Sequence, residues 1–201
     1  MIFKIFWILR GLLYKPFFGK FGLPSYIGKP IFIGNFKRIF IGKKVRIMPN
    51  ARIEVIDKNS SIVFEDNISI AQNLHIISGG NQELTIGKNT TLSANVFITN
   101  VDHEYQNIDT HVMNQKLIFN RTQIGENCFI GYGAVIQAGT ILGKQCIVGA
   151  NAVVRGHFPP YCVIVGVPAR IVKRYDEKSG VWKKTDKDGE FIDSSIEREK
   201  L

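Results

Sequence analysis

The sequence predicts an all-β fold, a parallel β-helix of hexapeptide repeats with an N-terminal helix and a C-terminal tail. Three observations predict it: aliphatic residues recur at every sixth position, small residues follow most of them four positions later, and glycine is frequent, with 19 in 201 residues. An α-helix would need apolar spacings of three and four, and glycine at this density would destabilise it.

The clearest run of repeats covers residues 124–159. Its aliphatic positions are Ile124, Ile130, Ile136, Leu142, Val148 and Val154, and its small residues include Cys128, Ala134, Thr140, Cys146 and Ala152. Earlier runs with the same step cover residues 41–53 and 62–98. Each short strand places one aliphatic and one small residue inward before the chain turns. Three repeats make one coil, and stacked coils bury a core that a single coil cannot bury.

The N-terminal segment, residues 1–30, begins with `MIFKIFWILRGLLYKPFFGKFG`, an apolar run interrupted by Lys4, Arg10 and Lys15. The run is too short and too often charged for a transmembrane helix, and no signal-peptide cleavage site follows it. Two interpretations remain open: a basic amphipathic helix in peripheral contact with the inner face of a membrane, or a helix packed against its own domain. The rest of the segment leads into the β-helix.

The repeats predict a β-helix domain over residues 31–168, broken after `NVDHEY` by an extruded loop over residues 104–123. A loop of this length is longer than a turn needs, so we expect it to be functional. The tail, residues 169–201, is polar and basic at its start. Its `SG` and `DG` pairs predict a short hairpin around Trp182 and Phe191, and we expect the last residues to fray.

Composition limits the partners. The net charge of +9 favours an anionic partner, but no nucleic-acid-binding motif is present, so we expect no nucleic acid. Cys128, Cys146 and Cys162 have no CxxC spacing, which argues against a zinc or redox site. Sparse, odd-numbered cysteines suit a reducing compartment, so we expect a cytoplasmic protein.

The repeats, the break at `NVDHEY` and the closing `PPYCVIVGVPARIVKRY` together resemble the hexapeptide-repeat acyltransferases, in particular the maltose, galactoside and polysaccharide O-acetyltransferases. The resemblance covers roughly residues 30–175. It implies a left-handed β-helix, a homotrimer with active sites between subunits, acetyl-CoA as the donor and a carbohydrate acceptor. The basic N-terminal segment and the tail resemble the members involved in bacterial surface-polysaccharide synthesis.

The resemblance also assigns site residues. The family's catalytic base is the histidine just before the loop, which is His103 here. A sugar hydroxyl is a poor nucleophile, and an imidazole can take its proton during attack on the thioester. His111, within the loop, and the turn residues Asn73 and Asn95 are candidates for acceptor binding. The neighbours of His103 are not obvious partners for its ring, because adjacent residues of an extended chain point to opposite sides.

For coenzyme A, motif position assigns Tyr132, Ala134 and Ala150 to the groove that holds the pantetheine arm. Arg170 and Lys173 match the family's phosphate-binding positions, where cationic donors are needed. One departure stands out: the family's Thr-Lys-Asp segment before the double proline is replaced by `RGHFPP`. Arg155 is the candidate to supply the missing positive charge.

Other functions remain as alternatives. A γ-carbonic-anhydrase-like metalloenzyme would need three histidines, two of them at i and i+5. The nearest pair, His103 and His111, is eight residues apart, so we expect no metal. An acyltransferase with another acyl donor, transfer to an amino sugar, and a non-catalytic β-helix that binds membranes or glycans are also open.

Overall fold

The computed structural model describes residues 2–186 and 188–192. One helix, α1 (Ile2–Tyr14), precedes the strands. The strands are β1 (Lys20–Phe21), β2 (Tyr26–Ile27), β3 (Phe32–Gly34), β4 (Ile39–Ile41), β5 (Arg46–Ile47), β6 (Arg52–Val55), β7 (Ser61–Phe64), β8 (Ser69–Ile70), β9 (His75–Ser78), β10 (Glu83–Ile86), β11 (Thr91–Leu92), β12 (Phe97–Thr99), β13 (Val101–His103), β14 (Leu117–Phe119), β15 (Gln123–Ile124), β16 (Phe129–Ile130), β17 (Val135–Ile136), β18 (Ile141–Leu142), β19 (Ile147–Val148), β20 (Val153–Val154), β21 (His157–Phe158), β22 (Cys162–Gly166), β23 (Ala169–Asp176) and β24 (Val181–Lys184). Short 3₁₀ turns cover Phe36–Arg38 and Val112–Asn114.

The strands stack into three parallel sheets that form the faces of a left-handed β-helix of about six coils, which confirms the predicted fold class. The first sheet has the order β1-β4-β7-β10-β15-β18-β21, the second contains β2-β5-β8-β11-β16-β19-β22, and the third has the order β3-β6-β9-β12-β17-β20. Parallel pairing already begins at Lys20, which pairs with Phe40. The first coil therefore begins within the N-terminal segment, residues 1–30, which the sequence predicted to lead into the β-helix.

The core is the inward column of aliphatic side chains that the six-residue step predicts. Every aliphatic position of the run 124–159 is buried, and so are Cys128, Cys146 and Cys162. The thiols are core residues: that of Cys128 donates to the Gly143 carbonyl at 3.2 Å, and that of Cys146 donates to the Pro159 carbonyl at 3.3 Å. A hydrogen bond with Cys146, together with burial, raises the pKa of Cys128.

Asparagine makes the tight corners between the second and third sheets. Asn50, Asn73, Asn95 and Asn151 have φ between 56° and 66° and occupy equivalent corners of successive coils. Asparagine tolerates this left-handed conformation better than most residues. At the same corner of the fifth coil stands Gly133, with φ 67°, where an added Cβ would collide with the Asn151 amide oxygen. Any other residue at this position would have to displace the Asn151 side chain.

Helix α1 packs against one end of the β-helix and makes these contacts with only one of its sides. Gly11 packs against Phe21 and the Ser25 carbonyl, and Trp7 stacks near Tyr26 with ring centroids 5.9 Å apart. The Arg10 guanidinium donates to the Ile27 carbonyl at 3.3 Å. The other side of the helix is exposed and apolar. Within the part of the chain that is described, no helix is long and apolar enough to cross a membrane.

Beyond the last coil, β23 pairs antiparallel with both β22 and β24. The turn between β23 and β24 contains Gly180, with φ 69°, so the `SG` pair lies at a hairpin turn. Trp182 lies in this hairpin, and Phe191 joins it through an isolated bridge to Thr185. Residues 193–201 of the predicted tail, including the end expected to fray, lie outside the described residues.

Removing one core side chain tests the stacking. Ile130→Ala should lower the free energy of unfolding by about 2–5 kcal/mol, because Ile130 is fully buried between neighbouring coils. Urea denaturation measures the change. The matched control is Ile108→Ala at a side chain that is 83% exposed, where we expect a change within about 0.5 kcal/mol. Equal effects at the two positions would contradict this account of the core.

Candidate active site

The chain leaves the coil between β12 and β15, where the sequence predicts the extruded loop. Its two legs form a short antiparallel ribbon, β13 with β14, in which His103 pairs with Leu117. Residues 104–116 form the tip, where Tyr105, Ile108 and Met113 are exposed apolar side chains. His103 is therefore held at the root of the loop by backbone hydrogen bonds.

Two buried polar side chains fix the point where the legs leave the coil. The Asn100 side chain is fully buried; its Oδ1 accepts from the Gly79 N–H at 2.8 Å, and its Nδ2 donates to the Gly79 carbonyl at 2.9 Å. The Thr122 hydroxyl donates to the Thr99 carbonyl at 3.0 Å and accepts from the Gly139 N–H at 3.1 Å. We name Asn100 and Thr122 the loop clamp. Sequence reasoning missed it, although Asn100 stands only two residues after Ile98, the last aliphatic position before the break.

The His103 ring is partly buried, and its Nδ1 is a buried nitrogen without a hydrogen-bond partner among the described residues. Its backbone N–H donates to Asp102 Oδ1 at 2.9 Å. Buried polar atoms are normally satisfied, so an unpaired ring nitrogen is unusual. The ring thus has hydrogen-bonding capacity that the described residues leave unused.

Arg155, the candidate for the missing positive charge, lies beside Asp102, the residue before His103. Its Nη1 is 3.7 Å from Asp102 Oδ2, in a pair where both side chains are about half exposed. An exposed pair of this kind contributes little to stability. Its effect is to bring one positive charge next to the residue that precedes His103.

A polar cleft of about 390 Å³ lies beside the second leg of the loop. Its lining residues are Gln82, Glu83, Thr85, Arg121 and Gln123. The Gln82 Nε2 donates to the Phe119 carbonyl at 3.3 Å, while its Oε1 is buried and unpaired. The cleft offers donors and acceptors of the type that bind sugar hydroxyls. No periodic signal identifies it, because these residues face outward, where the repeat places no constraint.

A second group of candidates lies at a different corner of the prism. Asn73 Nδ2 donates to Asn95 Oδ1 at 2.7 Å, and Asn95 Nδ2 donates to the Tyr132 hydroxyl at 2.5 Å. These exposed side chains form a ladder across three coils. Ala150 is exposed at the same corner one coil further on. The structure therefore joins two predicted acceptor residues to a predicted coenzyme A residue.

This corner is separated from His103 by the width of the third sheet. Asn95 lies in the corner before β12, whereas His103 lies on β13 after it, so the two residues flank opposite ends of this strand. Within one chain, the corner ladder and His103 do not form one site.

One predicted contact needs correction, that of Ala134, whereas the role of His111 in acceptor binding stays a prediction. Ala134 is fully buried in the core, because it is the inward small residue of its repeat, so its side chain does not line a groove. His111 is already engaged at the loop tip, where its Nδ1 accepts from the Met113 N–H at 3.2 Å and starts the 3₁₀ turn. Its exposed ring is eight residues along the chain from His103.

The basic pair Arg170 and Lys173 lies on β23 and is exposed. Three residues apart on a regular strand, the two side chains would point to opposite faces. A register shift between Val163 and Ile164 places Lys173 opposite Val163 and Arg170 opposite Val165. Because these two valines share one face of β22, the bulge brings both cations to the same face.

Among the residues described, no cluster of three or more histidine, cysteine or acidic side chains could hold a metal ion.

The comparisons with known proteins agree with this fold. Residues 121–156 match the family model of the bacterial transferase hexapeptide, with six repeats. The chain is 32% identical over 112 residues to the putative lipopolysaccharide biosynthesis O-acetyl transferase WbbJ of Escherichia coli K12. That match covers 51% of this chain and 56% of the relative, so it spans a little over half of the relative's length.

Solved structures share the architecture. AntD from Bacillus cereus, an N-acyltransferase solved with dTDP and 3-hydroxybutyryl-CoA, has a TM-score of 0.69 at 19% identity and covers 85% of this chain and 90% of its own. A maltose O-acetyltransferase from Clostridium difficile 630 has a TM-score of 0.55 at 24% identity and covers 84% of this chain and 75% of its own. At these identities the similarity concerns the fold.

The loop clamp generates a prediction. Asn100→Ala should lower the free energy of unfolding by about 1–3 kcal/mol, because it leaves the Gly79 N–H and carbonyl unpaired. It should also speed amide hydrogen exchange in β13 and β14, which the clamp anchors. Asn81→Ala, at an exposed position near the same corner, is the control and should change neither quantity. Unchanged exchange in the ribbon of Asn100→Ala would show that the clamp does not hold the loop.

Proposed function

Because this chain is a hexapeptide-repeat protein that resembles acyltransferases in sequence and in fold, we propose that it is an acetyl-CoA-dependent O-acetyltransferase. The observation that carries the proposal is His103, at the root of an extruded loop, with a buried ring nitrogen that the described residues leave unpaired. The similarity to an O-acetyl transferase of lipopolysaccharide biosynthesis supports a saccharide acceptor from a bacterial surface polysaccharide or its precursor.

In the proposed reaction His103 is the general base. It takes the proton of the acceptor hydroxyl as the hydroxyl oxygen attacks the thioester carbonyl carbon. The new carbon–oxygen bond forms, the carbon–sulfur bond breaks, and the proton passes from the imidazole to the departing thiolate of coenzyme A. No acyl-enzyme is needed, because the thioester is already activated. The three thiols cannot act as nucleophiles because all are buried in the core.

The groups that would bind the donor are exposed and of suitable chemistry. Arg170 and Lys173 present two cations on one face for the phosphates of acetyl-CoA. Tyr132 and the small residue Ala150, both exposed at the corner between the second and third sheets, are proposed to contact the narrow pantetheine arm. Arg155 is proposed to act near the reacting atoms instead, because it lies beside Asp102.

The working unit in this proposal is a homotrimer. His103 and the corner ladder lie at opposite ends of a strand row, so a site that uses both must combine two chains. The apolar side chains of the loop tip are exposed, and we propose that they contact a neighbouring subunit. Since the donor is an intracellular metabolite and the cysteines are free thiols, we propose that the protein works in the cytoplasm.

An amino-sugar acceptor is the alternative, supported by the fold similarity to an N-acyltransferase. Incubation of candidate glycans with the protein and acetyl-CoA, followed by mass spectrometry, tests the transfer itself. We expect a product heavier by one acetyl group that hydroxylamine removes, because it cleaves esters and leaves amides. A product resistant to hydroxylamine would favour the amino sugar, and the absence of any acetylated product would count against acetyl transfer.

His103→Ala should lower kcat by a factor of about 10²–10⁴, the usual share of general-base catalysis, and should leave coenzyme A binding unchanged. Turnover and calorimetric binding of coenzyme A separate the two effects. His111→Ala is the matched control, since its ring already caps the loop turn, and it should have a smaller effect. Near-normal turnover in His103→Ala with loss of turnover in His111→Ala would assign the base to the other histidine.

Arg170→Ala and Lys173→Ala should each raise the KM for acetyl-CoA with little change in kcat, because a phosphate contact far from the reacting atoms binds ground state and transition state equally. Steady-state kinetics at varied acetyl-CoA measures this. Lys178→Ala, exposed at the hairpin turn, is the control. A fall in kcat at constant KM would show that the basic pair does not bind the donor.

Mixing two weakened variants tests the shared site. When His103→Ala and Arg170→Ala chains are co-assembled and assayed at acetyl-CoA well below the KM of Arg170→Ala, some interfaces should contain both intact groups, so activity should exceed that of either variant alone. Light scattering of the same samples should give the mass of a trimer. A fully active monomer, or mixed assemblies no more active than the separate variants, would contradict a site built between chains.

A further inference from the structure

Charge is distributed very unevenly along the chain. Residues 1–53 contain eleven lysine and arginine residues and no aspartate or glutamate, whereas the rest contains fifteen basic and seventeen acidic residues. These 53 residues form α1 and nearly all of the first two coils, β1 to β6. Because coils stack in sequence order, the positive charge is concentrated at one end of the β-helix.

The same end carries an unpartnered apolar surface. Helix α1 packs on the first coil through Trp7 and Gly11, which leaves its opposite side open. On that side Phe6, Leu9 and Leu13 are exposed, Leu13 by 71%. The outward side of an ordinary surface helix is polar, whereas the outward side of α1 is apolar. Single exposed apolar residues are common, but a contiguous apolar helix face marks an interaction surface.

An apolar groove runs between α1 and the first coil. Its walls are Ile8, Leu12, Leu23, Pro24 and Tyr26, its volume is about 560 Å³, and Lys44 and Arg46 stand among its lining residues. No acidic residue lines it. The Arg46 guanidinium contacts only neutral acceptors in its hydrogen bonds, Ser69 and Asn67, so no carboxylate neutralises it there.

We propose that this end of the β-helix binds the surface of an anionic membrane. Helix α1 lies in the plane of the interface with its apolar side in the acyl region, and the surrounding lysines contact lipid phosphates. A soluble anion would explain the lysines but not the apolar face. A second copy docked end to end on this surface would bring two strongly positive ends face to face, which is electrostatically unfavourable. An anionic bilayer satisfies both features.

The docked orientation constrains the acceptor, a step that depends on the proposed function. His103 follows β12, the last strand of the fourth coil, so it lies three coil steps from the first coil, roughly 15 Å at about 4.8 Å per step. A saccharide held close to the bilayer by a lipid carrier could reach it. We therefore infer a lipid-linked saccharide as the acceptor class.

Vesicle binding of the full chain tests the docking. Trp182→Phe leaves Trp7 as the remaining tryptophan of the two in the chain, and Trp7 lies on α1. With vesicles of phosphatidylcholine plus phosphatidylglycerol, we expect binding, quenching of Trp7 by brominated acyl chains, and release by high salt. With pure phosphatidylcholine, we expect much weaker binding.

Variants locate the surface. Lys15→Glu, Lys20→Glu and Lys44→Glu should each weaken partitioning by about fivefold or more, the share of one basic residue near an anionic surface. Leu9→Gln with Leu13→Gln should abolish the quenching. The matched controls, Lys178→Glu and Val181→Gln, lie exposed in the C-terminal hairpin at the far end and should bind like the parent protein.

Three outcomes would overturn the proposal: no vesicle binding, equal binding to neutral and anionic vesicles, or reversal variants that behave like their controls. If Leu9→Gln with Leu13→Gln instead changes the mass measured by light scattering, the helix face packs on a second copy and not on lipid. None of these measurements involves turnover. Their failure therefore leaves the acetyl-transfer proposal intact, and loss of acetyl transfer leaves the membrane surface intact.

Discussion

The whole molecule depends on the contact between one coil and the next. Each coil is a thin triangle whose inward aliphatic side chains are buried only when a neighbouring coil covers them, as Ile98 and Ile136 do in adjacent rows. The same stacking satisfies the backbone, because each strand bonds to the strand one coil away. The six-residue spacing must therefore be kept where side chains point into the core, whereas the corners tolerate insertions.

The loop exists because the corner can be opened without disturbing the stack. At Asn100 and Thr122 the backbone groups that would otherwise lose partners are satisfied by buried amide and hydroxyl groups. The coil can thus release a long excursion and resume in register, since Phe97 still stacks below Val135 across the gap. His103 is held by the ribbon that the loop clamp anchors to the β-helix. The loop tip is exposed and remains available for contacts with another surface.

Opposite ends of the prism have different chemistry. The first coils and α1 carry the unbalanced positive charge and the open apolar surface, whereas the last coil continues into the antiparallel strands that present Arg170 and Lys173. The candidate catalytic group lies between these ends. Under the two proposals, the phosphate-bearing donor would bind at the level of the last coil and the acceptor would lie nearer the membrane, without any movement of the stack.

The sequence by itself determined the β-helix, since a six-residue step of buried aliphatics admits only a coil that turns after every short strand. It also placed the break in the repeat at His103, because a missing inward residue is visible in the pattern. The sequence did not determine which outward-facing side chains contact one another. Only the tertiary structure showed that Asn95 bonds to Tyr132, that Arg155 lies beside Asp102, and that a bulge aligns Arg170 with Lys173. The first two contacts join residues of different coils, and the third depends on a β-bulge. Corner insertions and bulges decide the register in each case, and they leave no periodic trace in the chain.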